Sequence, residues 1–172
     1  MNKPDFKKLI PHIEEVIKKW KNSLTENDWG YISYHQILSE PFIEKYKDQV
    51  NWNYVSIRQK LSEPFIEKWK DKVNWSYISR FQILSEPFME KWENKVNWYC
   101  ISKYQKLSEP FIEKWKDILN FNNLINNKIK WNEFNEEFFN QFHQHFDLEE
   151  MNKKRPFSKS FCLKYNLDWR WS

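Results

Sequence analysis

The sequence predicts an all-α protein, a solenoid of short helix-turn-helix repeats with atypical terminal caps. Three observations predict it. Trp29, Trp52, Trp75 and Trp98 recur every 23 residues, and Phe121 continues the spacing. The phrase Leu-Ser-Glu-Pro-Phe begins at Leu38, Leu61, Leu84 and Leu107, at the same interval. Each phrase opens a segment whose apolar residues fall at helical spacing, as Phe42, Ile43, Tyr46 and Val50 do. A supersecondary unit repeated at a fixed period is the signature of a stacked array.

The elements follow in chain order. Residues 1–28 read as an N-terminal helical cap, in which Val16-Ile17-Lys18-Lys19-Trp20 echoes Phe42-Ile43-Glu44-Lys45-Tyr46 with three extra residues before Trp29. Residues 29–120 hold four units, 29–51, 52–74, 75–97 and 98–120. In each, Asp28, Asn51, Asn74 or Asn97 stands before the aromatic and is a good N-cap for a first helix. Ser39-Glu40-Pro41-Phe42 starts the second helix. Serine caps it, and proline in the first turn has no N–H to lose and a φ already helical. The spacing predicts a first helix of about 7 residues and a longer second one of about 10. Helices below about 12–15 residues are marginal alone, so burial of large aromatics against the next unit must hold them.

Residues 121–172 read as a divergent C-terminal helical cap with a basic, aromatic tail. Phe121 and Leu124 match the repeat, and the pattern is then lost. Phe134, Phe138, Phe142 and Phe146 predict one amphipathic helix over 132–146. The tail either packs as a cap or extends as an arm.

Composition supports a core and excludes several function classes. Aromatic residues are 19% of the chain, too many for disorder. One Gly and no Ala exclude phosphate-binding glycine loops. Two Cys exclude a disulfide framework and a four-thiolate zinc site. No apolar run is long enough to span a membrane. His143 and His145 diverge on a helix and do not share a metal, and no Cys–His pair or isolated carboxylate pair is evident. The sequence therefore calls for no enzyme activity, no cofactor and no metal, and for a cytoplasmic protein.

The net charge of +4 is uneven. The four units carry −1, +2, 0 and +1, residues 121–150 carry −4, and residues 151–172 carry +5. Lys45, Lys68, Lys91 and Lys114 recur, but a Glu precedes each, which reads as a solvated face rather than a phosphate-tracking stripe. Trp52, Trp75 and Trp98 recur with the packing period, so they read as core rather than base-stacking platforms. The pairs Ser33/Gln36, Ser56/Gln59, Ser79/Gln82 and Ser102/Gln105 read as a polar ladder between units, with a ligand-facing row as the alternative.

Positions where the units differ are the candidates for binding, because a scaffold repeats its packing residues and varies its surface. These are Tyr34, His35, Arg58, Arg80, Phe81, Lys103 and Tyr104 on the first helices. Aromatic and Arg side chains suit a protein interface. The expected role is a non-enzymatic module that binds another protein through these positions. The alternative is a nucleic-acid-binding repeat protein using Lys153, Lys154, Arg155, Lys159, Lys164 and Arg170 of the tail. A purely structural or oligomerising element is the third reading.

The stretch from Leu61 through Trp75, Leu-Ser-Glu-Pro-Phe-Ile-Glu-Lys-Trp-Lys-Asp-Lys-Val-Asn-Trp, resembles short helical repeats of uncharacterised phage and giant-virus proteins. The resemblance covers residues 29–121 and transfers no catalytic residue. It implies a viral origin, an interaction role with a host or viral factor, and the host cytoplasm as location.

Overall fold

The computed structural model describes residues 3–125, 127, 134–154 and 156–168. These residues are helical or irregular, without strands, and the repeated helix pairs pack in register as an all-α repeat solenoid. The chain comprises two compact units, residues 1–100 and 101–172.

The first unit holds α1 (Ile13–Trp20), α2 (Glu26–His35), α3 (Glu40–Lys45), α4 (Trp52–Arg58), α5 (Glu63–Lys68), α6 (Trp75–Phe81) and α7 (Glu86–Lys91). α8 (Trp98–Tyr104) contains the division. Short helices α2 and α4 pack side by side, and so do α4 and α6.

Local chemistry sets these boundaries. The Asn51 side chain accepts from the Tyr54 amide at 3.1 Å and starts α4. Ser39 accepts from the Phe42 amide at 3.3 Å and starts α3, with Pro41 in its first turn. The second helix is shorter than its spacing predicts. α3 ends at Lys45, and Tyr46 at φ −111° begins a tight turn. In that turn the Gln49 and Val50 amides both donate to the Tyr46 carbonyl at 3.0 Å. The turn still buries Val50 and delivers Asn51 to its capping position. A second correction concerns α2. Its N-cap is Thr25, not Asp28, and Asp28 closes a capping box by accepting from the Thr25 amide at 2.7 Å.

Between helix pairs the invariant polar residues form a buried lattice. Ser33 donates to the Trp29 carbonyl at 2.7 Å and accepts from the Asn51 amide of the next pair at 2.9 Å. Ser56 does the same with Trp52 at 2.7 Å and Asn74 at 3.0 Å. Gln59 Nε2 reaches back to the carbonyls of Ser33 at 2.9 Å and Gln36 at 2.8 Å, while its Oε1 accepts from the Leu38 amide at 2.9 Å. Gln82 repeats this on Ser56, Gln59 and Leu61. Gln36 grips instead the non-helical segment before α1, at the carbonyls of Phe6 and Lys8 and the amide of Ile10. The N-terminal cap is thus atypical in form, yet it supplies the backbone groups that a preceding helix pair would.

Apolar side chains fill the space between. Ile32, Ile43, Val55, Ile66, Ile78 and Met89 are fully buried. Trp52 packs on Trp69 at 5.3 Å between ring centroids, and Trp75 on Trp92 at 5.4 Å. The Trp52 indole N–H also holds the preceding turn through the Lys47 carbonyl at 2.9 Å.

The second unit continues with α9 (Glu109–Lys114), α10 (Phe121–Ile125), α11 (Glu136–Phe142), α12 (Leu148–Lys154) and α13 (Lys159–Lys164). The pattern is not lost after Leu124. Asn127 Nδ2 donates to the carbonyls of Ser102 at 3.0 Å and Gln105 at 2.8 Å, the paired grip that Gln59 makes in the first unit. Asn135 and Ser158 cap α11 and α13 as Ser39 caps α3, and they stand 23 residues apart. Phe139 and Cys162 hold the fully buried place of Ile43. The expected single helix over 132–146 is therefore α11 alone, followed by a 3₁₀ turn at His143–His145, with 132 and 133 outside the described residues. The tail is folded over 156–168 and does not extend as an arm. Phe157, Phe161, Cys162 and Leu167 are buried in it.

Candidate protein-binding face

The invariant polar residues do not face a ligand. Ser33, Ser56 and Ser79 are 0% exposed, and their hydroxyls and the Gln amides are consumed by neighbouring backbone. The buried-ladder expectation for the Ser/Gln pairs therefore holds. The Trp rings are likewise engaged with one another at the packing period. The recurring lysines face carboxylates, with Lys68 to Glu44 at 2.5 Å and Lys91 to Glu67 at 2.6 Å. The predicted binding residues lie on the short helices α2, α4, α6 and α8.

Three of the predicted residues come together there. Arg58 lies over the Tyr34 ring at 4.8 Å and its Nε donates to the Tyr34 carbonyl at 3.4 Å. His35 meets Tyr34 edge-on at 4.8 Å. One helix further, Arg80 lies over Phe81 at 4.9 Å, and Phe81 contacts Tyr77 at 6.2 Å. Lys103 and Tyr104 belong to the second unit, where Lys103 lies over Tyr104 at 5.5 Å.

Sequence reasoning singled out Tyr34 and His35 but left Tyr31 and Tyr54 out of the binding set. Tyr31, Tyr34, His35 and Tyr54 line an open groove of about 530 Å³ between α2 and α4, together with Glu26, Asn27, Gly30 and Asn51. Tyr34 and Tyr54 meet edge-on at 5.3 Å, and Lys7 covers the Tyr31 ring at 5.0 Å. The missed signal was Gly30, the sole glycine, at a position where other units carry Asn53, Ser76 and Tyr99. A residue larger than glycine there would narrow the groove.

Of the alternative tail residues, the side chains of Lys153, Lys159 and Lys164 are described. Lys164 bonds the Asn140 side chain and covers Tyr165 at 5.3 Å. Lys153 and Lys159 are exposed on different helices, the Lys154 side chain is not described, and Arg155 and Arg170 lie outside the described residues.

Among the described residues no group of three His, Cys, Asp or Glu side chains could hold a metal, and no helix is long and apolar enough to cross a membrane. Cys162 is buried, which pushes its thiol above the usual value, and the nearby Glu136 carboxylate pushes the same way. A protonated, enclosed thiol is a packing group rather than a nucleophile.

No family model, curated protein or solved structure matches the chain, and nothing in these comparisons links it to phage or giant-virus repeat proteins.

Proposed function

We propose that this chain is a non-enzymatic interaction module that binds another protein through the variable positions of its short helices. The carrying observation is the division of labour within each repeat. The Ser, Gln and apolar core residues shared from unit to unit are spent on packing and on the buried lattice, while varied ones such as Arg58 on Tyr34 lie outside it. Aromatic and Arg residues dominate binding hot spots because they bury large area and still offer hydrogen bonds. A cytoplasmic setting, with a host or viral factor as partner, follows from the resemblance of the repeats.

The test compares partner capture by the full chain with capture by Arg58→Ala, Arg80→Ala, Phe81→Ala and Tyr104→Ala, using nuclease-treated lysate and a melting temperature for each variant. A partner held by the parent chain and released by these variants at unchanged melting temperature supports the reading. Capture that is indifferent to all four, or that vanishes with nuclease treatment, overturns it.

A further inference from the structure

Charge is segregated within the repeat. From Trp29 to Leu38, from Trp52 to Leu61 and from Trp75 to Leu84 there is no Asp or Glu, although these stretches carry Arg58, Lys60 and Arg80. Glu26 and Asp28 open α2, and the later carboxylates of these repeats lie on the second helices and turns, where several meet cations of the next pair. Glu44 faces Lys68, Glu67 faces Lys91, Asp48 faces Lys72 at 4.0 Å and Asp71 faces Lys95 at 3.7 Å. The three Trp-to-Leu stretches therefore carry only positive formal charge.

Aromatic and exposed apolar side chains occur in the same stretches as these cations. The tyrosine-walled groove lies beside Arg58. Ile37 is 81% exposed and Ile83 94% exposed, immediately after the short helices. A guanidinium stacked on a ring keeps its outer edge for a carboxylate. Arg58 on α4, Lys60 just after it and Arg80 on α6 are too few to track a phosphate backbone, whose binding scales with the number of phosphates neutralised. The groove volume of about 530 Å³ instead suits bulky side chains, since ligand clefts run about 300–1,000 Å³.

We infer that the short-helix face of the first unit binds an acidic protein segment carrying an aromatic or large aliphatic anchor. The anchor enters the groove between α2 and α4, and flanking carboxylates pair with Arg58 and Lys60. Glu26 also lines the groove and disfavours carboxylates against it, so the apolar anchor and not the acids occupies the groove. This inference rests on the protein-binding reading and adds the chemistry of the partner.

The experiment titrates the full chain into labelled synthetic peptides at near-physiological salt. One peptide is Asp/Glu-rich with a Trp-Leu pair. A second keeps the acids and replaces the pair by Ser. A third keeps the pair and replaces the acids by Lys, and a single-stranded RNA is the fourth probe. Two variants accompany the parent. Arg58→Ala with Lys60→Ala removes charge, and Gly30→Leu fills the groove. A Cβ at Gly30 meets the Tyr54 side chain at 3.6 Å, an ordinary contact, and a melting temperature for the variant checks that the helix is kept. Binding of the first peptide at least tenfold tighter than the second and third, and at least tenfold weaker with each variant, is the expected result. Equal binding of the Lys peptide, no loss in the variants, or preference for RNA overturns the inference. If lysate capture still depends on Arg58 and Phe81 while the acidic peptide fails to bind, protein binding stands and only the acidic chemistry falls.

Discussion

Gln59 Nε2 donates to the carbonyl of Ser33, 26 residues earlier, at 2.9 Å. The same side chain also engages the Gln36 carbonyl and the Leu38 amide, so one residue satisfies three backbone groups of the preceding helix pair. Gln59 is buried, and none of these groups has water as an easy substitute. Gln59→Leu is expected to lose about 3 kcal/mol or more, since each orphaned buried group costs about 1–3 kcal/mol. Gln59→Glu keeps the shape but loses both donated bonds and buries a charge, and it should be no more stable at neutral pH. Urea unfolding measures both, and a midpoint within error of the parent would show that the lattice is not what holds the register.

The exposed ion pairs should behave oppositely. Lys91 and Glu67 lie 2.6 Å apart with 57% and 43% of their side chains exposed. Exposed pairs contribute about 0–1 kcal/mol after solvent screening and side-chain ordering. Glu67→Gln is expected to stay within that range, read as a small shift of the same urea midpoint. A loss as large as that of Gln59→Leu would mean that these pairs, and not the buried amides, align the helices.

Asn166 closes α13 in the left-handed region at φ 53°, and the Leu167 amide returns to the Cys162 carbonyl at 2.8 Å. This is the hydrogen bond of a Schellman ending, which favours glycine or asparagine at the left-handed position. Asn166→Val should cost about 1–2 kcal/mol, the penalty of a left-handed L-residue. Asn166→Gly should cost nothing measurable. Thermal melts of the two variants side by side separate backbone strain from loss of the Asn side chain.

Acid should loosen the start of α2. Burial raises the Asp28 carboxyl, but hydrogen bonds from Lys3 and from the Thr25 side chain and backbone outweigh it and hold the group below its ordinary 3.8. A carboxyl lowered in the folded state contributes stability at pH above that ordinary value and loses it as pH falls through the folded one. Asp28→Asn is therefore expected to be less stable than the parent at pH 7, by about 1 kcal/mol as for a lost cap. The difference should shrink below pH 3.8. A gap that stays constant into acid would show that shape, not charge, carries the capping box.

The repeat was legible because its signals are local. Asn51 and Ser39 act on amides two or three residues away, so their capping roles follow from type and spacing alone. Helix length was not legible. Phe42, Ile43, Tyr46 and Val50 keep helical spacing whether the helix runs on or turns, because the Val50 amide still bonds the Tyr46 carbonyl four residues back. The later helix pairs were hidden by substitution. Asn135 and Ser158 keep the cap and the 23-residue interval, but Phe139 and Cys162 replace the aliphatic core residue and the proline is gone.

The candidate face divides the same way. Variation among units marked Tyr34, Arg58 and Phe81, since residues free of the packing period stand out in an alignment of the chain with itself. That Arg58 lies on Tyr34, and that Gly30 opens a tyrosine-walled groove, depends on how α2 rotates against α4. Sequence alone determined the all-α repeat, its period and its caps, because hydrogen bonds within a turn need only near neighbours. Tertiary structure alone decided which carbonyls each Gln grips, where the charges segregate and where the groove opens, because those contacts join residues more than twenty positions apart, whose meeting is set by packing of the helices between them.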